Sequence, residues 1–194
     1  MTKKAATSKD LLLLILYSKG PRGIVAEPII GRTRLMKMIF LFDKELRRDF
    51  RFETAVDAAA IPVFEPYDFG PFSSEVYTDL EFLVDLGFVR VSPVGDSLPP
   101  EEAAEYEYWR ATSSDAADAE DELEQFALTA TGVKFVECGR AGELTSTQWK
   151  LLDEFKKRCT QTSLRSLLKY VYAKYPETTT KSKIREQILS AEAR

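Results

Sequence analysis

Apolar residues recur along this chain at helical spacing, and short extended stretches interrupt them. The leucine-rich run from Lys9 to Ser18 is apolar on all sides, which predicts a buried first helix with Ser8 as its N-cap. A second helix is predicted from Arg32 to Phe50, because one face carries apolar residues three and four positions apart. These core-facing residues are Leu35, Met38, Ile39, Phe42 and Leu46.

The middle of the chain alternates between extended and helical patterns. Residues Ile61 to Phe69 include two prolines, which indicates an edge strand or an irregular one. Ser73 to Leu86 predicts a third helix, with Ser73 as the N-cap and Gly87 as the stop. Phe88 to Val91 is typical of a strand, and its candidate partner strands are Tyr106 to Ala111 and Phe126 to Leu128.

The last third of the chain is predicted to be helical. A linker, Gly139 to Ser146, follows a fourth helix and precedes three more. The predicted helices run from Ala130 to Cys138, Thr147 to Cys159, Ser163 to Tyr175 and Lys181 to Leu189.

This order of elements predicts an α+β, mostly helical protein whose core is a winged helix-turn-helix with a small antiparallel wing. We divide the chain into a winged-helix domain at residues 1–142, with an acidic insertion in the wing at residues 97–125, and a helical C-terminal extension at residues 143–194. In such a domain the third helix ends at a Leu-Gly-Phe-Val sequence, here residues 86–89, and the wing hairpin follows it.

Composition excludes most common catalytic chemistry. The 194 residues contain no histidine, which removes Ser-His-Asp and Cys-His sites and histidine metal ligands. Cys138 and Cys159 are the only cysteines, and we interpret them as free thiols. We therefore predict no enzyme activity, no catalytic residue, no cofactor and no metal. The apolar run Leu11 to Tyr17 is too short to span a bilayer, and no signal cleavage site follows it, so we expect a cytoplasmic protein without membrane contact.

Charge is unevenly distributed. Residues 97–125 hold ten acidic residues and one basic residue, so this segment carries −9. The net charge of the chain is −4, so the other residues carry +5 together. The acidic segment is a candidate for contact with a basic partner surface or for mimicry of nucleic-acid charge.

A basic face is the candidate nucleic-acid surface. Arg34, Lys37, Lys44 and Arg48 are spaced to share the face of the second helix opposite its core stripe, and Lys156, Lys157 and Arg158 follow in the C-terminal region. The alternative interpretation is a solvated helix face. The third helix carries only acidic charges, which would repel DNA at the position where a winged helix usually reads it.

An aromatic turn is the candidate partner-binding site. It comprises Tyr67, Phe69, Gly70, Pro71 and Phe72. Aromatic side chains beside a rigid turn can anchor a partner. The alternative is that they fill the core between the helices and the wing.

Two segments of the chain resemble a known family. RTRLMKMIFLFDKEL and YDFGPFSSEVYTDLEFLVDLGFV are similar to the corresponding helix and the Gly-Pro segment of the Panacea domain, also called the SocA-like antitoxin domain, and of YwgA-like proteins. The resemblance covers about residues 32–138. It implies a non-enzymatic module that neutralises partner toxins by binding, and no catalytic residue carries over.

We therefore predict a regulatory protein-interaction module, antitoxin-like or associated with phage defence, whose partner is another protein. The alternative is a winged-helix DNA-binding transcriptional regulator, and a homodimer stays open.

Overall fold

The computed structural model describes residues 7–48, 52–94, 98, 100, 103–104, 106–108 and 123–190. Helices make up most of this part, and its five short strands form two small antiparallel sheets. The prediction of a mostly helical α+β protein is confirmed. Most of the predicted acidic insertion, residues 97–125, lies outside the described residues.

Three helices form the centre of the molecule. They are α1 (Ser8–Tyr17), α2 (Arg32–Leu41) and α3 (Ser74–Asp85). The helix α2 continues as a π-helical turn, Phe42–Arg47, and the predicted end at Phe50 lies outside the described residues. Helix α1 begins one residue earlier than predicted, because Thr7 rather than Ser8 is its N-cap and forms a capping box with Asp10.

A three-stranded sheet joins the region between α1 and α2 to the predicted wing. It contains β1 (Ile29–Ile30), β4 (Val89–Pro93) and β5 (Glu124–Leu128), in the order β1-β5-β4. The predicted strand Phe126 to Leu128 is confirmed within β5. The candidate strand Tyr106 to Ala111 is wrong where it is described, because residues 106–108 are helical.

The Gly-Pro turn forms its own hairpin. Strand β2 (Glu65–Tyr67) pairs with β3 (Gly70–Phe72), and Pro66 lies opposite Pro71. The predicted extended segment Ile61 to Phe69 is therefore a strand only at β2, before which the chain makes 3-10 turns at Phe52–Thr54 and Ala58–Ala60. A two-stranded ribbon tolerates proline because each strand has a free edge.

Four helices follow the wing. They are α4 (Ala130–Gly139), α5 (Ser146–Gln161), α6 (Leu164–Lys174) and α7 (Arg185–Ser190). 3-10 turns at Ala141–Glu143 and Pro176–Thr179 connect them. The predicted helix bounds agree with these to within a few residues, except that α7 begins four residues later than predicted.

The C-terminal helices share their core with the first half of the chain. Leu168 and Val171 of α6 are fully buried in the same apolar cluster as Leu11 and Phe40. At the surface end of this contact, Glu45 accepts hydrogen bonds from side chains of α6 and of the residue after it. The helix α2 is therefore enclosed on several sides, and this enclosure determines which of its basic residues are buried.

Candidate functional sites: the Lys37 pocket and the exposed face of α3

The predicted basic face of α2 is buried at its first two members. Arg34 and Lys37 are each 2% exposed. The Nη1 atom of Arg34 donates to the carbonyl oxygens of Cys159 and Thr162, both at 2.5 Å. The prediction that these two residues share an open face with Lys44 and Arg48 is wrong, because α5, α6 and the β2–β3 hairpin cover α2 on the side that the core stripe leaves. Lys44 and Arg48 are exposed.

The C-terminal basic residues are also divided. Lys156 is fully buried, and its Nζ atom donates to the carbonyl oxygens of Leu16 and Ser18, both at 2.8 Å. It thus satisfies carbonyl groups at the C-terminal end of α1, where helices leave them without partners. Lys157 is half-buried and Arg158 is exposed. Lys156 lies four residues after Leu152 and three before Cys159, within the buried stripe of α5, and this helical position distinguishes it from its two basic neighbours.

The Gly-Pro turn is covered on one side by the chain's own C-terminal region. Gly70 has a φ of +86°, and a Cβ atom there would lie 2.8 Å from the ring of Tyr172. The backbone carbonyl of Asp68 accepts hydrogen bonds from the Ser182 hydroxyl at 3.1 Å and the Lys183 amide at 3.0 Å. On this side the turn packs against α6 and the residues that follow it, whereas the alternative interpretation placed the turn between the helices and the wing.

The other side of the turn lines a pocket around Lys37. The volume of this cavity is about 20 Å³, room for about one water molecule. Its walls are Thr33, Met36, Lys37, Tyr67, Phe69, Gly70, Phe72 and Tyr77. The structure therefore brings together residues that the sequence placed in two different candidate sites, one for nucleic acid and one for a partner protein.

Lys37 is the one cation among the described residues that line this pocket. Its Nζ atom donates to the carbonyl oxygen of Pro71 at 2.9 Å. Burial lowers the pKa of Lys37 to about 7, because the charged amine loses its hydration without gaining a carboxylate partner. The ring of Phe72 packs against Tyr67 at 4.7 Å and edge-on to Tyr77 at 5.2 Å, which holds the aromatic wall in place.

The outer face of α3 combines apolar and acidic side chains. Phe82 is 45% exposed and Leu86 is 50% exposed. The two residues are four positions apart, so they lie on one side of the helix. Exposed acidic residues surround them at Glu75, Glu81 and Asp85. We call these five residues the α3 patch.

The α3 patch has two flanks that extend it. Lys9 lies over the Phe82 ring at 5.2 Å and pairs with the buried carboxylate of Asp79. Phe88, two residues beyond Leu86, stacks on the 39%-exposed ring of Phe135 in α4 at 4.8 Å. The predictions from the sequence did not include this surface. Phe82 and Leu86 fall outside the apolar stripe by which α3 packs against the core, and this position was the signal that could have identified them.

The described residues give no support for a membrane-spanning segment or a metal site. None of the helices placed by the structure has both the length and the apolar character needed to cross a bilayer. No three cysteine or acidic side chains of the described part are grouped so that they could hold a metal ion. Cys138 is exposed and Cys159 is buried, neither in a disulfide, and burial raises the pKa of Cys159 to about 12, which makes that thiol inert.

Comparisons with known proteins found no relative from which a role for these sites could be inferred. No family model, curated protein or solved structure gives a significant match to this chain.

Proposed function

We propose that this protein is a non-enzymatic regulatory module that acts by binding a partner protein, in the manner of an antitoxin. The observation that carries this proposal is the α3 patch, where two large apolar side chains about half exposed lie among acidic residues. Contiguous exposed apolar side chains with a polar rim are typical of protein interaction sites.

The proposal includes a winged-helix core. Strand β1 lies between the first two helices of the chain and pairs with β5, which pairs with β4. A winged helix has this arrangement, with a short strand after its first helix completing the sheet of the wing. The β2–β3 hairpin between α2 and α3 is then an addition to that core.

Electrostatics favours a protein partner over DNA. In a winged helix the third helix is the element that enters the major groove, and α3 carries acidic residues and no basic residue. Two of the four predicted basic residues of α2 are buried against backbone carbonyls. The phosphate backbone needs several accessible cations close together, and these two elements do not supply them.

The acidic rim of the α3 patch indicates the chemistry of the partner. Charge complementarity steers association and fixes register, whereas buried apolar anchors supply most of the affinity. The partner surface should therefore present an apolar groove or helix face bordered by lysine or arginine. In the antitoxin case this surface would belong to a toxin that the protein neutralises by covering it.

The test compares a patch variant with a matched surface variant in the native host. Phe82→Ser with Leu86→Ser removes the anchors, and Val63→Ser removes an apolar side chain that is 83% exposed elsewhere. We expect wild type and the Val63 variant to retain the same protein in affinity purification, and the patch variant to lose it. Expressed alone, that protein should arrest growth, and co-expression of wild type should relieve the arrest. A partner retained equally by all three proteins would contradict the proposal.

The alternative is a DNA-binding regulator that uses the exposed cations. These are Lys44, Arg48 and Arg158, together with the half-buried Lys157 that precedes Arg158 in the sequence. A gel-shift series against salt discriminates, because specific binding with a steep salt dependence requires several phosphate contacts. Specific binding that weakens on Lys44→Glu with Arg48→Glu would favour the regulator.

A further inference from the structure

The α3 patch belongs to a longer apolar surface that crosses from α3 to α4. We propose that a second copy of this chain covers this surface, in a two-fold symmetric dimer that a partner must displace before it reaches the α3 patch. This inference rests on the proposed function for the role of the patch, and it adds a way in which access to the patch is regulated.

Four apolar side chains form this surface, which we call the apolar strip. Phe82 and Leu86 lie one helical turn apart on the outer face of α3, and Phe88 follows Leu86 across the Gly87 turn. The ring of Phe88 stacks on the ring of Phe135 with a centroid distance of 4.8 Å. Three of the four side chains are 39–50% exposed, and Phe88 is half-buried. The strip therefore continues from one helix to the other, with Phe82 at its α3 end and Phe135 at its α4 end.

The two ends of the apolar strip carry opposite charges. Glu81 and Asp85 are exposed at the α3 end, and Lys134 is exposed next to the α4 end. In the part of the chain that the structure describes, none of these three side chains forms an ion pair. Lys9, a cation at the α3 end, is already paired with the buried carboxylate of Asp79. A single copy therefore leaves acidic charge at one end of the strip, and basic charge at the other, uncompensated.

The position of the acidic pair within α3 favours a cation from outside the chain. Glu81 and Asp85 lie four residues apart in the last part of the helix, which ends at Asp85. The C-terminal end of a helix carries negative partial charge, so carboxylates are unfavourable there and cations are favourable. The last turn of α3 contains no basic residue. A lysine supplied by another molecule would therefore interact favourably with both carboxylates and with the end of the helix.

Two-fold symmetry brings the complementary ends together. In such a dimer the same surface of both copies is used, so each contact occurs twice. With the axis near the middle of the apolar strip, the α3 end of each copy lies over the α4 end of the other. Phe82 then packs against Phe135 of the second copy, and the acidic pair meets Lys134 of the second copy. The second copy thereby supplies an apolar anchor and a cation that complement the acidic rim of the α3 patch.

We expect this dimer to be weak. Four partly exposed apolar side chains are a small anchor beside the apolar core of a permanent interface, and each exposed ion pair contributes little. Association of this kind depends on concentration, so the α3 patch becomes accessible when the chain is dilute or when a partner binds more tightly. Self-association and partner binding are then mutually exclusive.

Sedimentation equilibrium of the full chain, over about a hundredfold range of concentration, measures the dimer directly. We expect the average mass to rise from the chain mass of 22.0 kDa toward twice that value. Phe135→Ser lies outside the α3 patch and should weaken association at least about tenfold. Val63→Ser, at an exposed apolar position elsewhere, should leave association unchanged. A mass that stays at that of one chain, or a dimer that Phe135→Ser does not weaken, would overturn the proposal.

Charge reversal tests the two-fold arrangement. Lys134→Glu makes both ends of the strip acidic, and Glu81→Lys with Asp85→Lys makes both ends basic. Each variant alone should associate at least about tenfold more weakly, because the repulsion occurs twice in every dimer. An equal mixture of the two should form a heterodimer, in which every acidic end meets a basic one, and this recovery would also show that both variants are folded. Lys150→Glu, a reversal at an exposed position of α5, should leave the dimer unchanged. A mixture that stays monomeric would contradict the proposed contacts.

These measurements separate the dimer from the proposed function. A chain that stays monomeric, yet retains its partner through Phe82 and Leu86 in affinity purification, overturns the dimer and leaves the proposed function standing. A dimer that responds to the variants as described, together with a partner that Phe82→Ser with Leu86→Ser still retains, supports the dimer and contradicts the proposed function.

Discussion

At the scale of single residues, buried cations join the parts of this protein through backbone carbonyls. Arg34, Lys37 and Lys156 each donate to carbonyl oxygens of distant segments. Carbonyls at helix ends and in turns lack partners within their own element, so a long cationic side chain can satisfy them from across the core. At Arg34 and Lys37 this arrangement buries a cation on a helix face that the sequence pattern assigns to solvent.

The pKa of Lys37 gives the first prediction. Its pKa is about 7 in the folded protein and about 10.4 in an unfolded chain. Between these values the unfolded chain binds more protons, so the contribution of Lys37 to the free energy of unfolding rises with pH and is lowest below pH 7. Lys37→Met should therefore reduce the gain in stability between pH 7 and pH 9, by up to about 1.4 kcal/mol per pH unit.

Urea unfolding of wild type and Lys37→Met at pH 7, 8 and 9 measures this difference. Subtracting the variant removes the contributions of the other titrating groups, which both proteins share. A difference in free energy of unfolding that stays constant over these pH values would mean that the amine keeps an ordinary pKa.

The second prediction concerns Gly132 in α4. A Cβ atom at this position would fall well inside contact distance of the Phe88 carbonyl oxygen, which is backbone and cannot rotate away. Gly132→Ala should therefore force α4 away from the start of β4 and lower the free energy of unfolding by about 1–3 kcal/mol. Gly139, in the same helix, has open space around its Cβ position.

Thermal unfolding followed by circular dichroism compares the two alanine variants. Gly139→Ala should leave stability unchanged or raise it by up to about 1 kcal/mol, because alanine favours the helix. Equal stability of the two variants would show that α4 can shift without cost.

At the scale of elements, the helices were predictable because their apolar residues recur at strong helical periodicity. The strands were difficult to predict because they are short and depend on their pairing partners. The stripe Leu35 to Leu46 predicted α2 because all its members face the core. Strand β1 has two residues and no pattern of its own; its pairing with β5 creates it. Residues 106–108 form a helix despite a pattern that suggested a strand, and the Tyr106 hydroxyl donates to the Ile30 carbonyl at 3.3 Å.

The candidate site was predictable only in pieces. The aromatic turn and Lys37 could each be singled out from the sequence, but their meeting in one pocket depends on the packing of the β2–β3 hairpin against α2. The burial of Arg34 depends in the same way on the position of the end of α5. Such contacts join residues more than 30 positions apart, which local patterns do not report.

Helix α5 gives the third prediction, because a capping box begins it. The Thr145 hydroxyl accepts from the Gln148 amide at 3.2 Å, and the Gln148 side chain accepts from the Thr145 amide at 2.9 Å. Thr145→Ala should lower the free energy of unfolding by about 1 kcal/mol. Thr147→Ala, an exposed position in the first turn of the same helix, should change it by less than about 0.5 kcal/mol. Chemical denaturation measures both, and equal losses would argue against the cap.

At the scale of the whole molecule, one apolar core connects the predicted winged-helix region and the C-terminal helices. Leu14 of α1 and Leu168 of α6 both lie in it and are at most 1% exposed. The hairpin β2–β3 contacts Ser182 and Lys183, which adds polar contacts to this shared core. Removal of the C-terminal helices would expose the face of α2 that they cover, including the buried Arg34.

A shared core implies a single cooperative unfolding transition, since neither half can lose its packing without exposing the other. Leu14→Ala and Leu168→Ala should each lower the free energy of that one transition by about 2–5 kcal/mol. Denaturant unfolding followed by both tryptophan fluorescence and far-ultraviolet circular dichroism checks this, because the two signals should change together in wild type and in both variants. Two separate transitions, with Leu168→Ala shifting only one of them, would instead mean that the C-terminal helices fold as an independent unit on the surface of the first 142 residues.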